Sequence, residues 1–131
     1  MFIGKHVYAD LVQCNPTLLT DKTYLEQVLW DAALAANATP LSKHTHDFGN
    51  GGLSCVIIVT ESHISIHTWP EYCYAAVDIF TCDKQTNPEA ALNHILDKLC
   101  AIGINIDIKE RGAQIKKYGC TKCNNCVVIP N

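Results

Sequence analysis

Along residues 3–12, Lys5, Val7, Ala9 and Leu11 interleave with His6, Tyr8 and Asp10. That period of two, imperfect in phase at Ile3, predicts a first strand. Thr20 or Asp21 then offers an N-cap to a helix whose apolar stripe runs through Leu25, Val28, Leu29, Ala32 and Ala36 and which ends near Asn37. Residues 39–48 read as a strand, Gly49-Asn50-Gly51-Gly52 as a turn, and the apolar run 53–60 as the returning arm of a hairpin. From 62 to 68 the alternation resumes, with Ile64 and Ile66 on one side and His63, Ser65 and His67 on the other. Trp69-Pro70-Glu71 interrupts it, because proline is excluded from a sheet interior, and residues 74–82 continue as a further strand. Asn87-Pro88 supplies a cap and a first helical proline for a second helix with the stripe Ala91, Leu92, Ile95, Leu96 and Leu99. Gly103 reads as its stop, Ile104, Ile106 and Ile108 mark a last strand, and residues 113–131 read as a polar, poorly ordered tail.

The order is thus strand, helix, several strands, helix, strand, and the middle strands lie too close in sequence for parallel crossovers. The expected fold is α+β, an antiparallel sheet with two main helices on one face in a two-layer sandwich. The opposite sheet face is expected to be apolar and so to need cover from a second copy, with two sheets facing each other across a homodimer.

At 131 residues and 48% hydrophobic content, the chain suffices for one core and one domain, 1–131. A net charge of -3 with ten dispersed Lys and Arg residues argues against a nucleic-acid partner. No basic leader precedes an apolar run and no eighteen apolar residues stand together, so the reading is a cytoplasmic protein with no membrane partner. In that compartment the eight cysteines are expected to be thiols. Cys120, Cys123 and Cys126 have the spacing of a metal motif but lack a fourth ligand within the tail; a thiol cluster is the preferred reading and no metal is assigned.

One segment concentrates chemistry: E-S-H-I-S-I-H-T-W-P-E-Y-C-Y-A-A-V-D-I-F-T-C, from Glu61 to Cys82. By residue types alone, a solvated sheet face and a catalytic site explain it about equally well. The segment resembles, almost letter for letter, the processing-site signature of the bacterial and archaeal S-adenosylmethionine decarboxylases. The weaker part of the resemblance, in length and hydrophobic pattern, extends from about Gly4 to Gly112. In that family an internal serine becomes a covalently bound pyruvoyl group and no external cofactor is used.

The resemblance implies cleavage between Glu61 and Ser62, giving a β chain of residues 1–61 and an α chain of residues 62–131, with the pyruvoyl group derived from Ser62. The chemistry is consistent with a serine there: its hydroxyl can take over the preceding acyl group as an ester, which, unlike an amide, breaks by elimination. By the same resemblance Ser54 hydrogen-bonds the transient oxyanion and His67 removes the α-proton. In turnover the pyruvoyl ketone takes the substrate amine as a Schiff base and draws electrons as carbon dioxide leaves. Cys82 would return the proton, Glu71 would hold the ribose hydroxyls and Phe48 would stack on adenine. Without the family, each has a plainer reading: Ser54 and His67 as surface side chains, Cys82 as a small buried hydrophobe, Glu71 as a solvated turn carboxylate, Phe48 as a core aromatic. Alternation sets Ser62 on the side of Ile64 and Ile66, away from His67, so a turn or bulge at Glu61-Ser62 is expected to break the parity.

The chain departs from the pattern in places. Phe48-Gly49-Asn50-Gly51-Gly52-Leu53-Ser54 stands where the family commonly has a proline and a glycine after the aromatic, and Cys55 and Cys73 stand where glycine is usual. The implied activity is decarboxylation of S-adenosylmethionine, a small-molecule substrate, to the aminopropyl donor for spermidine. The alternatives are the same chemistry on arginine or ornithine, and, from another class, a non-catalytic regulatory subunit.

Overall fold

A computed structural model describes residues 2–60 and 62–115. The first alternating stretch is strand β1 (Gly4–Val12). Asn15-Pro16 then starts a single turn, α1 (Pro16–Leu19), whose Asn15 side chain accepts from the Thr17 amide. Its cap and proline repeat the Asn87-Pro88 signal, but a single turn leaves no apolar stripe by which the sequence alone would mark a helix. Asp21 caps α2 (Lys22–Ala35), accepting from the Tyr24 amide at 3.0 Å, and Asn37 leaves the helix in the left-handed region at φ 60. The whole stripe from Leu25 to Ala36 is buried, as the helical period requires.

Strands β2 (Pro40–Asp47) and β3 (Leu53–Val59) form the expected hairpin, followed by β4 (Ser62–Trp69), a 3-10 turn at Pro70–Tyr72, and β5 (Tyr74–Thr81). Helix α3 (Pro88–Lys98) has Asn87 as its cap. It ends earlier than expected: Leu99 is the C-cap and Cys100 takes the left-handed conformation at φ 54 usually left to glycine. Gly103 instead lies inside β6 (Ile102–Arg111). There its missing Cβ admits the Ile106 and Leu96 side chains, which a methyl would meet at 3.1 and 3.4 Å.

All six strands form one antiparallel sheet in the order β2-β3-β4-β5-β1-β6. Helix α2 packs on β2 and β3, and α3 on β1 and β5, so both helices cover one face. Leu25, Leu29, Ile95 and Leu99 meet Val7, Leu11, Ile57, Ile64, Ile66 and Ile79 between the layers, all with no exposed surface. Each such side chain contributes roughly 1.5–3 kcal/mol by leaving water.

The uncovered face differs from the apolar one expected. Val56, Ile58 and Phe80 are interspersed with His6, Asp10, His63, Ser65 and Asp78, because the alternating partners of the core positions are mostly polar. His6 Nε2 and His63 Nε2 both face Asp78 Oδ1, the latter at 3.4 Å. The Tyr74 hydroxyl donates to Asp10 at 2.6 Å, and the Asn105 amide donates to the same carboxylate at 2.8 Å. These bonds hold the Asp10 carboxyl below its ordinary range, while the hydrogen bond that Tyr74 donates to Asp10, with desolvation, pushes its phenol up to about 12. Among the described residues no helix is long and apolar enough to cross a membrane. Glu61 and the Cys120, Cys123, Cys126 cluster lie outside the described residues, as does the tail beyond Ile115.

Candidate active site

The turn from β2 to β3 is built by its own side chains. Asp47 accepts from the Gly49 amide at 2.8 Å and Asn50 from the Gly52 amide at 3.0 Å, while Gly49 and Gly51 take φ values of 81 and 96. These are Asx turns joined by left-handed residues, a local code for reversing the chain. Phe48 stands at the rim of this turn, 58% exposed, with His46 set edge-on against its ring at a centroid distance of 4.6 Å. That exposure removes the core-aromatic reading of Phe48.

Register brings the next side chains together. Ser54 on β3 pairs directly with His67 on β4, and Ser54 Oγ lies 2.7 Å from His67 Nδ1. If the hydroxyl donates, the imidazole proton resides on Nε2 and Nδ1 is the acceptor. Phe48, Ser54, His67, Trp69 and Glu71 line one groove of about 300 Å³, with Glu71 presented by the 3-10 turn after β4. A second hollow, on the other side of His67, is lined by His44, His46, Ser65 and Cys55 among others. Thr68, buried beneath the groove, takes the Leu53 amide at 3.0 Å and donates to the Leu19 carbonyl at 3.2 Å, tying β3, β4 and α1 together under it. Neither Thr68 nor His46 was singled out by sequence, since one reads as an ordinary strand residue and the other as a solvated one.

Ser62 lies at the other end of β4. It is half-buried, and it lines a cavity of about 140 Å³ together with Cys82, Thr81, Thr60 and Asn37. Ser62 and His67 are five strand steps apart, about 16 Å at roughly 3.3 Å per step. The β3–β4 register runs without a shift from the Ser62/Val59 pair to the Ser54/His67 pair, so the side chains also leave opposite faces of the sheet. From Ser62 onward, then, no bulge breaks the parity. Within one chain the structure unites Ser62 with Cys82, and Ser54 with His67, Phe48 and Glu71, but does not unite the two groups.

Comparison with known proteins bears on this divided arrangement. Residues 5–112 match the sequence profile of the family described as S-adenosylmethionine decarboxylase. The chain belongs to that family. Among its relatives, the S-adenosylmethionine decarboxylase proenzyme of Pyrobaculum islandicum is 48% identical over 98 residues, 74% of this chain and 78% of the relative. The proenzyme of Clostridium tetani is 42% identical over 110 residues, 84% and 87% of the two chains. The crystal structure of the adenosylmethionine decarboxylase from Aquifex aeolicus superposes with a TM-score of 0.77 at 33% identity, covering 85% of this chain and 92% of the other.

As a member of the S-adenosylmethionine decarboxylase family, this chain has two cysteines at positions where glycine was expected, and the structure sets them in different environments. Cys73 adopts φ 50, the left-handed conformation that glycine takes without strain. Its carbonyl accepts from the Cys14 amide at 2.9 Å. Cys14 is buried, and desolvation pushes its thiol up to about 11. Cys55 is buried on the helix side of β3, where loss of solvent raises its thiol as well. None of the three thiols stands in the groove beside Phe48 and Glu71.

Proposed function

We propose that this chain is a self-processing proenzyme that cleaves between Glu61 and Ser62 and then, through a pyruvoyl group formed from Ser62, decarboxylates S-adenosylmethionine to the aminopropyl donor for spermidine. The observation that carries this reading is the division of the processing residues between the two ends of β4. Ser62 with Cys82 forms one half-site and the hydrogen-bonded Ser54–His67 pair the other, about 16 Å along the strand. Neither half performs the reaction alone. A second copy that sets its Ser54–His67 pair against the Ser62 cavity of the first supplies the missing half, so that the functional unit is a homodimer of processed αβ protomers acting in the cytoplasm.

In the first step Ser62 Oγ adds to the carbonyl of residue 61, the peptide C–N bond breaks, and an ester to Oγ remains with a free amine at Ser62. The Ser54 hydroxyl of the other copy donates to the transient oxyanion while its oxygen accepts from His67 Nδ1–H at 2.7 Å, the tautomer that fixes the serine rotamer and leaves His67 Nε2 free as a base. His67 then accepts the α-proton of Ser62, a Cα=Cβ double bond forms as the Cβ–Oγ bond breaks, and residue 61 leaves as a carboxylate that keeps Oγ. The resulting enamine takes up water and releases ammonia, leaving a ketone at position 62. Ser62 suits this conversion: it is the first residue of β4, half-buried, and borders an open cavity rather than the packed core. The pyruvoyl group supplies an electron sink for the decarboxylation.

For substrate, Phe48 offers an exposed ring face beside a carboxylate, Glu71, in one groove. A purine stacks on such a ring and ribose hydroxyls donate to such a carboxylate. Arginine and ornithine have neither feature, so the groove favours the nucleoside substrate although its loop lacks the family's proline. Cys82, in the Ser62 cavity, is the proton donor to the product.

The test is denaturing mass spectrometry of the purified chain together with release of carbon dioxide from S-adenosylmethionine, arginine and ornithine. The parent should yield two fragments and act on the first substrate; Ser62→Ala should stay whole and inactive. A parent chain that remains intact on prolonged incubation would return the non-catalytic subunit as the better reading.

A further inference from the structure

Thr81 is the last residue of β5, and its hydroxyl is anomalous. The side chain is 2% exposed, yet Oγ1 has no hydrogen-bond partner among the described residues. Buried hydroxyls are nearly always satisfied, so an orphan needs a reason. The sheet register supplies one. The β4–β5 ladder ends at the pair of His63 with Phe80, and its register carried one step outward sets Ser62 opposite Thr81. Both belong to the helix-side set, Ser62 with Ile64 and Ile66, Thr81 with Val77 and Ile79. Directly opposed side chains on one face have β-carbons about 4.5–5.5 Å apart, close enough for a hydroxyl-to-hydroxyl hydrogen bond. Both also line the same cavity of about 140 Å³.

We propose that Thr81 is a positioning residue for self-processing, its hydroxyl oxygen accepting a hydrogen bond from the Ser62 hydroxyl when the serine turns into the rotamer that attacks the preceding carbonyl. The inference rests on the cleavage reading above and adds a group to it. In the resting arrangement the bond is not made and Thr81 Oγ1 is left unsatisfied; in the reactive rotamer both hydroxyls are paired. An interaction present only on the way to the transition state lowers the barrier without stabilising the starting state. Lys5, the Thr81 partner on β1, leaves the hydroxyl available, because its ammonium is held by Glu89 of α3 at 3.3 Å.

The experiment follows cleavage of the full chain during a cell-free translation chase, for the parent, Thr81→Val and Thr81→Ser. Valine keeps the branched shape and removes the hydroxyl; serine keeps the hydroxyl. Thr81→Val should cleave about tenfold more slowly, the factor one neutral hydrogen bond supplies, and Thr81→Ser should recover most of the rate. Melting is compared in the uncleavable Ser62→Ala background, where Thr81→Val should be at least as stable as threonine, because it removes an unsatisfied buried oxygen. Cleavage of Thr81→Val at the parental rate would overturn the inference and leave the cleavage reading intact. A lowered melting temperature that serine does not rescue would make Thr81 a packing residue and also overturn it. A parent that fails to cleave at all would remove both.

Discussion

Two chains inactivated at opposite ends of β4 should repair each other. On the proposed mechanism His67→Ala removes the base and Ser62→Ala the nucleophile, and each variant alone should fail to form a pyruvoyl end. Loss of a general base costs about a hundredfold to ten-thousandfold. The distance is decisive: reacting atoms must approach to about 3–3.5 Å, whereas the strand holds Ser62 and His67 of one copy about 16 Å apart. In a mixed dimer, Ser62 of the His67→Ala copy meets His67 of the Ser62→Ala copy, so one intact site forms and the other lacks both groups. Random association at equal amounts puts about half of the His67→Ala chains in mixed dimers, so about half of them should cleave. Coexpression with a tag on one chain makes the fragments distinguishable, and mass spectrometry separates a pyruvoyl end from a serine end. If tag-purified mixed dimers yielded no pyruvoyl fragment, or if His67→Ala alone processed at the parental rate, the two-copy site would be wrong.

Cys82→Ala should still process, since the thiol acts after the ketone exists, but should lose most decarboxylation; unchanged turnover would remove Cys82 from the mechanism. Phe48→Ala should leave self-cleavage intact and lower the specificity constant for S-adenosylmethionine roughly tenfold to a hundredfold, for about 1–3 kcal/mol of stacking, with Glu71→Gln acting in the same direction; steady-state kinetics on processed enzyme decides it. The Cys14 thiol, at about 11 in the folded chain against an ordinary 9.0, ionises more readily once unfolded. Its contribution to stability is therefore complete below pH 9 and declines between pH 9 and about 11. Chemical denaturation across that window should show a steeper fall for the parent than for Cys14→Ala, and equal slopes would contradict the shift.

Much of the fold was legible because its signals are local. The caps at Asp21 and Asn87, the helical stripes, and the Asn-Gly turn between β2 and β3 each decide their own segment. What escaped reading was set by contacts distant in sequence. Nothing in residues 4–12 says that β1 will lie between β5 and β6, and the polar set His6, His63 and Asp78 becomes a cluster only through that placement. At the site, family resemblance pointed to the residues, and alternation had already put Ser62 and His67 on opposite faces. The turn or bulge expected at Glu61-Ser62 falls partly on Glu61, outside the described residues, while from Ser62 to His67 the uninterrupted register keeps the two side chains apart within one chain. Thr81 carried no sequence signal, since a threonine ending a strand is common and its missing partner is visible only in three dimensions.

The strand order has a consequence for what a cut at residue 61 leaves behind. β1, β2 and β3 would belong to one fragment and β4, β5 and β6 to the other, yet β1 is threaded between β5 and β6. Three of the five ladders, β3 with β4, β5 with β1, and β1 with β6, would then join separate polypeptides. The fragments are woven together, so the native enzyme should hold through dilution that separates ordinary peptide complexes. Once unfolded, it must find its lost half by diffusion: recovery from denaturant, first order for the uncut chain, would become second order and depend on protein concentration. Maturation would thus make folding a step the molecule completes reliably only once.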